Sequence, residues 1–290
     1  MFLRIVHLSR YEYSEPVSFA PHAVYLRPRE TSRQRLHHFA LEVTPTARRI
    51  ATTDPLDNAL DWAFFAPENP ATKLEFRSEL MVETLDTNPF DFFLKPTALT
   101  FPFQYDAAEH TALLPCLTPR IDSPDASALH AWLQEHLSSP PSETVPYLTA
   151  LNTAVQRELT YTRRDEQGIQ PAGETLERGT GSCRDYAVLL IELCRALGLA
   201  ARFVSGYLYE PAATGETPPL PPAMHAWAEV YLPGAGWRGL DATRGIFCDD
   251  AFVPLAHAAL AESVNPIQGT FYGPGTVRST LTTILSVEKL

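Results

Sequence analysis

The first hundred residues alternate between apolar and polar positions over short stretches. Segments 4–8, 38–43 and 74–84 repeat every second residue, which is the period of a β-strand with one buried face. Prolines recur between these stretches and argue against long helices. Many short strands separated by turns are typical of an antiparallel β-sandwich. We therefore predict a sandwich for this part of the chain.

Farther along the chain the apolar residues take up a helical period. Three- and four-residue spacings predict helices at 126–137, 147–159 and 183–197. Strand-like runs follow at 202–209, 225–232, 237–242 and 279–287, with a glycine-containing turn at 233–236. The predicted fold class is α+β, with an N-terminal antiparallel β-sandwich followed by helices packed on an antiparallel sheet.

The segment between these two patterns is rich in proline. Pro102, Pro115, Pro119 and Pro124 interrupt any periodicity there, which is typical of a linker. We divide the chain into a β-sandwich domain at 1–105, a linker at 106–125 and a helix-and-sheet domain at 126–290.

Composition narrows the class of protein. Hydrophobic residues make up 45% of the 290 residues, enough to build a globular core. Apolar runs stay far shorter than a membrane span, and the first residues lack the apolar core of a signal peptide. We therefore expect a cytoplasmic protein without a membrane partner. The net charge of −11 argues against a nucleic-acid partner.

Four cysteines occur in the chain, without the paired spacing of a disulfide framework or a zinc site. Cys183 differs from the other three because it follows Gly181 and a serine that can cap a helix. Ser182 and Asp185 have the spacing of a capping box, which makes Cys183 the first helical residue. Backbone N–H groups at a helix start favour an anion, so Cys183 is the candidate thiolate nucleophile. Cys194, eleven residues on, is expected on nearly the same helical stripe but about 16 Å farther along the helix axis, as a core residue.

His225 and Asp241 follow Cys183 in the order expected for a nucleophile, its base and the residue that orients the base. Both lie on predicted strands joined by a hairpin. Side chains alternate along a strand, so a hairpin loop of even length would point the two residues to opposite faces. An odd loop or a bulge would bring position 227 opposite 241 and put both residues on one face. We predict this second register.

These motifs resemble the transglutaminase-like superfamily, the relatives of papain-type thiol enzymes. The resemblance rests on four stretches, 181–187, 198–207, 225–231 and 236–243, and the first hundred residues resemble the β-domain that precedes this core in bacterial proteins. It implies Cys183 as nucleophile, His225 as general base and acid, and Asp241 as the residue that orients the imidazole.

The resemblance also implies acyl transfer through a thioester, without metal or cofactor, on a peptide or protein amide. An aromatic side chain upstream of the cysteine assists the oxyanion in this superfamily, and Tyr161 is the candidate. Met224 and Trp227, beside the histidine, are predicted to contact substrate. Among bacterial proteins of this architecture, amide hydrolysis is the expected outcome.

Two other functions stay open at this point. A true transglutaminase would pass the acyl group to an amine, and a catalytically silent module would only bind. A zinc site at Cys183 and His225 is disfavoured because further ligands with metal spacing are lacking. The proline-rich loop 211–222 precedes His225, and we hypothesise that it gates the site. The substrate and the oligomeric state do not follow from the sequence.

Overall fold

The computed structural model describes residues 1–121, 123–164, 168–211 and 223–290. Its N-terminal part consists of two antiparallel sheets, as the alternating pattern predicts. The first sheet is ordered β15-β1-β6-β3, with β16 also pairing with β1. Its strands are β1 (Phe2–Phe19), β3 (Gln34–Thr44), β6 (Ala71–Thr84), β15 (Phe271–Tyr272) and β16 (Ser279–Lys289).

A smaller sheet, ordered β14-β2-β5-β4, completes this part. Its strands are β2 (His22–Val24), β4 (Arg48–Thr53), β5 (Ala59–Phe64) and β14 (Ile267–Gln268). Leu3 and Ile5 of β1 and Phe76 of β6 are fully buried in the core beneath the first sheet. The same apolar cluster includes Tyr207 and Val253 from the second half of the chain, so the two halves share a packed interface.

The second half places helices on one face of another antiparallel sheet, ordered β12-β11-β10-β9-β13. The strands of this sheet are β9 (Ala201–Leu208), β10 (His225–Leu232), β11 (Gly236–Asp241), β12 (Ile246–Phe247) and β13 (Phe252–Ala258). The helices are α1 (Ala107–Leu117), α2 (Ser123–His136), α3 (Thr144–Glu158), α4 (Ala172–Arg178) and α5 (Cys183–Ala196). Two short strands, β7 (Thr160–Tyr161) and β8 (Thr180–Gly181), pair in parallel beside α5. Short 3₁₀ helices occupy Pro96–Ala98 and Ala261–Val264.

Helix α5 is the central element of the core. Leu189, Leu190 and Leu193 are fully buried and belong to the same cluster as Ala226 and Ala228 of β10. Small side chains on this face of β10 let the helix lie close to the sheet. The start of α5 is therefore fixed relative to the start of β10.

The predicted fold class is confirmed, since the chain is a mixed helix and sheet protein with an N-terminal β-rich region. Two features of the structure bear on the predicted division. The predicted linker at 106–125 contains helix α1, which is capped by Asp106 and includes Pro115 near its C-terminal end. Proline lacks the N–H of an i→i−4 hydrogen bond and is unusual inside a helix, so the prolines of this segment argued against one.

The C-terminal strand also differs from its predicted place within 126–290. Strand β16 pairs with β1 along eleven residues, from Leu3↔Lys289 to Tyr13↔Ser279. The end of the chain thus returns to the N-terminal sheet, a long-range pairing that a period-2 pattern leaves open. The helices of the described ranges are all too short or too polar to span a bilayer.

Candidate active site

The hairpin between β10 and β11 has the register predicted from the position of the two candidate residues. Leu232 pairs with Gly236 and Ala228 with Leu240, so the loop of residues 233–235 has an odd number of residues. The same register places position 227 opposite position 241. The backbone of Gly234 has φ +92°, and a Cβ there would lie 2.7 Å from the Lys95 nitrogen. A glycine is therefore required at this position of the turn.

This register brings His225 and Asp241 together. Nε2 of His225 lies 2.8 Å from Oδ2 of Asp241, in a hydrogen-bonded pair. Oδ1 of Asp241 accepts hydrogen bonds from the backbone and hydroxyl of Thr243, at 2.9 and 2.7 Å. The Asp241 side chain is 0% exposed, and a buried carboxylate with this many donors is held in one orientation. The prediction of a shared face is confirmed.

The start of α5 also agrees with the sequence pattern. Ser182 is the N-cap and Cys183 the first helical residue. The carboxylate of Asp185 accepts from the Ser182 backbone and hydroxyl, both at 2.8 Å, and from the backbone of Gln170. Arg164 lies 3.0 Å from the same carboxylate. These contacts fix the loop that presents Cys183.

Charge at the site is arranged around His225. Burial lowers the pKa of His225, but the hydrogen bonds and charges of Asp241 and Cys183 outweigh burial and raise this pKa to about 10. Nε2 is occupied by Asp241, so Nδ1 is the ring nitrogen left for the thiol. At neutral pH the ring is therefore an imidazolium between a carboxylate and a thiol.

A cleft of about 350 Å³ opens beside these residues, and both halves of the chain line it. Cys183, His225 and Ala226 lie on one side. Strand β1 contributes His7, Ser9 and Tyr11, and β16 contributes Leu281 and Thr283. The sequence analysis assigned no site residue to the first hundred positions and thus missed this wall. His7 and Ser9 continue the alternating positions of buried Leu3 and Ile5, and polar residues on a buried strand face could have indicated a functional site.

His7 belongs to a buried polar network at the back of the cleft. Its Nδ1 lies 2.9 Å from the Tyr207 hydroxyl and its Nε2 lies 3.0 Å from the Ser9 hydroxyl. His7 is 1% exposed, and burial lowers its pKa to about 4. A neutral histidine thus links β1 to β9 next to the candidate site.

Tyr161 lies where the sequence analysis expected an aromatic side chain near the cysteine. Strand pairing sets Tyr161 opposite Gly181, and Tyr161 lines the cleft with 46% of its surface exposed. Burial of the remaining surface raises the pKa of Tyr161, and the charge of Cys183 adds to that rise. The side chains of Tyr161 and Cys183 are therefore close enough to interact electrostatically.

Of the two predicted substrate contacts, Met224 lines the cleft. Trp227 does not. It is 2% exposed, stacks on His225 at 6.2 Å between ring centroids and packs on Phe252. Alternation puts Trp227 on the same strand face as His225, where it packs against the imidazole and Phe252 and does not reach the cleft. The loop 212–222, the bulk of the proposed gate, lies outside the described residues.

The remaining cysteines are separate from the site, as expected. Cys194 is fully buried, and burial raises its pKa to about 12. Burial likewise raises the pKa of Cys116 and of Cys248. These three thiols are protonated at neutral pH and serve as internal references for Cys183.

Cys183 at the start of α5 thus lies beside a hydrogen-bonded pair, His225 and Asp241, on the adjacent antiparallel sheet. Residues 130–242 match the transglutaminase-like superfamily, and residues 3–83 match the bacterial transglutaminase-like N-terminal region. Over these residues the chain carries a transglutaminase-like core and a bacterial transglutaminase-like N-terminal region.

Individual proteins resemble the chain over most of its length. The crystal structure of a "putative cysteine protease" from Cytophaga hutchinsonii has a TM-score of 0.74 and 21% identity, and the match covers 99% of this chain and 90% of that one. An uncharacterized protein of Mycobacterium tuberculosis is 26% identical over 275 residues, 93% of this chain and 87% of the relative. One of Mycobacterium leprae is 24% identical over 294 residues, 94% of each. The solved structure establishes a shared fold across the whole chain.

Proposed function

We propose that this protein is a thiol-dependent amide hydrolase that acts on a peptide or protein through a thioester. The single observation that carries the proposal is the 2.8 Å contact of Asp241 with His225, together with the hydrogen bond and charge of Cys183 that help raise the pKa of the same ring. An imidazolium beside a thiol at a helix start is the environment in which a cysteine becomes a nucleophile.

In the proposed reaction, the Cys183 thiolate attacks the carbonyl carbon of the scissile amide. Nδ1 of His225 then donates its proton to the nitrogen of the leaving amine, and a thioester forms. Water, deprotonated by the now neutral imidazole, attacks the thioester and releases the acid. Asp241 keeps the ring oriented, with Nε2 bound and Nδ1 toward the sulfur.

The oxyanion formed in each step needs hydrogen-bond donors. The first N–H groups of α5 have no helical acceptor and begin at Cys183, which supports their use as donors. The Tyr161 hydroxyl is the second proposed donor, supported by its place in the cleft and its electrostatic interaction with Cys183.

Amine transfer shares every step up to the thioester, and a match to a transglutaminase-like core makes it the second candidate. The two reactions differ only in which nucleophile resolves the thioester. A labelled primary amine added to a peptide digest distinguishes them, because hydrolysis yields free acid and transfer yields a labelled product. A cytoplasmic location remains part of the proposal.

The activated thiol itself can be tested without a substrate. We would measure the rate of iodoacetamide alkylation against pH, with mapping of the modified residue, for the wild type, Cys183→Ala and His225→Ala. The proposal expects fast labelling confined to Cys183 that persists well below pH 8 and depends on His225. Slow labelling of Cys183, like that of an ordinary thiol, would favour the silent binding module instead.

A further inference from the structure

The inner face of the first sheet changes character where it reaches the cleft. Leu3 and Ile5 of β1 point into the apolar core and are fully buried. Side chains alternate along a strand, so the next positions on that face are His7, Ser9 and Tyr11. All three line the cleft. An aromatic side chain therefore follows two polar ones on this wall.

Strand β16 supplies the partner of Tyr11. In the register of the two strands Tyr11 pairs with Leu281, and Ser9 pairs with Thr283. Leu281 and Thr283 line the same cleft. Leu281 is 56% exposed, so the protein leaves more than half of this apolar residue uncovered. Side chains directly opposite each other on one sheet face are close enough to form a continuous surface.

Two further apolar side chains reach the cleft from other elements. Ile267 lies on β14, where pairing with Val24 of β2 fixes its position. Met224 directly precedes His225 at the start of β10. Like Tyr11, both side chains are half-buried and pack on the core of the N-terminal sheets. The core thus holds one part of each side chain while the other part lines the cleft.

The convergence of these side chains is more informative than the exposure of any one of them. A single exposed apolar residue is ordinary on a protein surface, whereas apolar side chains that meet in a concave site are typical of ligand binding. The cleft volume of about 350 Å³ lies at the lower end of the range for ligand pockets. Cys183 and the apolar side chains therefore share one small compartment. We call these side chains the apolar patch: Tyr11, Met224, Ile267 and Leu281.

We propose that the apolar patch is a specificity subsite, which binds an aliphatic or aromatic side chain flanking the scissile amide. The inference rests on the proposed hydrolase function and narrows its substrate class to peptides with such a residue beside the cleaved bond. Removing apolar surface from water favours binding in proportion to the area covered. The N-terminal region and the C-terminal strand thereby select the substrate, while the transglutaminase-like core carries the reacting residues.

The first test reads the apolar patch through Cys183 and requires no turnover. N-hexyl-iodoacetamide and N-methyl-iodoacetamide have the same reactive carbon and the same secondary amide, and they differ only in the length of the alkyl chain. The ratio of their second-order rate constants would be measured at Cys183, with mapping of the modified residue, and for free glutathione. We expect the hexyl-to-methyl ratio to be roughly tenfold higher at Cys183 than in glutathione, and to fall roughly fivefold in Leu281→Thr.

Ile284→Thr is the matched control. Ile284 lies on the same strand and is also 56% exposed, but it pairs with Leu8 on the opposite sheet face and is not part of the described cleft lining. Its ratio should equal that of the wild type. Leu281→Met keeps an apolar side chain of similar size, so its ratio should stay within about twofold of the wild type.

Three results of this test would overturn the proposal. The first is a Leu281→Thr protein that keeps the wild-type ratio. The second is a Leu281→Met protein that loses as much as Leu281→Thr, because apolar character would then not be what matters. The third is a wild-type ratio equal to that of glutathione.

The second test reads the substrate class by cleavage. A peptide digest would be incubated with the protein, and the cleaved sequences would be remade as quenched fluorescent peptides in pairs that differ only by Leu against Thr beside the scissile bond. We expect kcat/KM to be roughly tenfold higher for Leu on one side of the bond, and this preference to shrink in Leu281→Thr but not in Ile284→Thr. Equal kcat/KM within every pair would overturn the subsite while leaving hydrolysis intact. A digest left uncleaved, with an alkylation ratio that depends on Leu281, would reject hydrolysis and retain the subsite.

Discussion

Asp241 accepts a hydrogen bond from Nε2 of His225 at 2.8 Å while its own side chain is sealed from solvent. The second carboxylate oxygen is occupied by Thr243, so the carboxylate cannot rotate freely. Trp227 stacks on the imidazole and restricts its tilt. The ring is consequently held by one polar and one apolar contact, which leaves a single ring edge for Cys183.

Replacing Asp241 by asparagine should cripple the proposed reaction with little change in shape. The amide keeps the size of the carboxylate but lacks the charge that helps raise the pKa of His225. We expect kcat/KM to fall by about 10²- to 10⁴-fold. The pH limit for retaining the imidazolium should move down from about 10 toward the ordinary value of 6.5, as measured by the pH profile of Cys183 alkylation.

Asp249→Asn is the matched control for that substitution. Asp249 is a half-buried carboxylate that accepts from the Ala251 backbone at 3.0 Å and lies outside the cleft. Its alkylation profile should match that of the wild type. If Asp241→Asn also kept the wild-type profile, Asp241 would have no role in orienting or charging the ring.

Asp185 should be among the least replaceable side chains of the core. It is 0% exposed, accepts from Ser182 and Gln170, and pairs with Arg164. Removing one partner of a buried ion pair leaves the other charge uncompensated, so Asp185→Ala should lower the free energy of unfolding by about 3–5 kcal/mol. Denaturant titration would measure the loss.

The control for this prediction is Glu42→Ala, which breaks the surface pair with Arg77. The Glu42 side chain is 71% exposed, so solvent screens the pair and the loss should stay below about 1 kcal/mol. Equal losses in the two variants would mean that burial does not strengthen the Asp185 contacts.

His7 should make the fold sensitive to acid. Burial holds its folded-state pKa at about 4, below the ordinary 6.5, so the folded state binds fewer protons than the unfolded state between these values. The stability it contributes is present above pH 6.5 and is lost as the pH falls toward 4. His7→Gln should therefore flatten the dependence of the free energy of unfolding on pH in this window.

His257 offers a comparison, because burial also lowers its pKa to about 4 although it lies away from the cleft. His257→Gln should flatten the same window without altering Cys183 alkylation. An unaltered slope in His7→Gln would refute the acid-sensitivity prediction.

In the turn between β10 and β11, alanine should be tolerated better at Gly236 than at Gly234. Gly234 and Gly236 both have positive φ, +92° and +73°, which an alanine adopts at a cost of about 1–2 kcal/mol. Only Gly234 also meets backbone atoms of residues 93–95 within about 3 Å of an added Cβ, with the Lys95 nitrogen at 2.7 Å. Gly234→Ala should therefore lower the free energy of unfolding by at least about 1 kcal/mol more than Gly236→Ala. Denaturant titration of the two variants checks the difference.

Local sequence patterns predicted several elements of the candidate site. The capping box at Ser182 and Asp185 identified the first residue of α5 correctly, because a helix start is specified by residues within one turn. The strand at 225–232 was identified from alternation alone. The parity of the hairpin loop was predicted only by requiring His225 and Asp241 to meet. Two glycines with positive φ made that odd loop possible.

Other parts of the site could not be obtained from such patterns. Trp227 was expected to contact substrate, yet it packs against His225 and Phe252, a tertiary contact that the alternation of β10 does not reveal. Helix α1 was hidden by prolines. His7 lies 200 positions from Tyr207 along the chain, so only the docking of two sheets brings His7 and its neighbour Ser9 to the cleft.

The sequence by itself determined the elements of this protein and the order of its reactive residues, because capping, periodicity and turn chemistry act between near neighbours. Tertiary structure alone decided which elements meet. It returned β16 to β1 and brought residues of the N-terminal sheet into the lining of the cleft beside Cys183. These arrangements depend on the burial of apolar surface between distant parts of the chain, which is non-directional and leaves little trace in any local pattern.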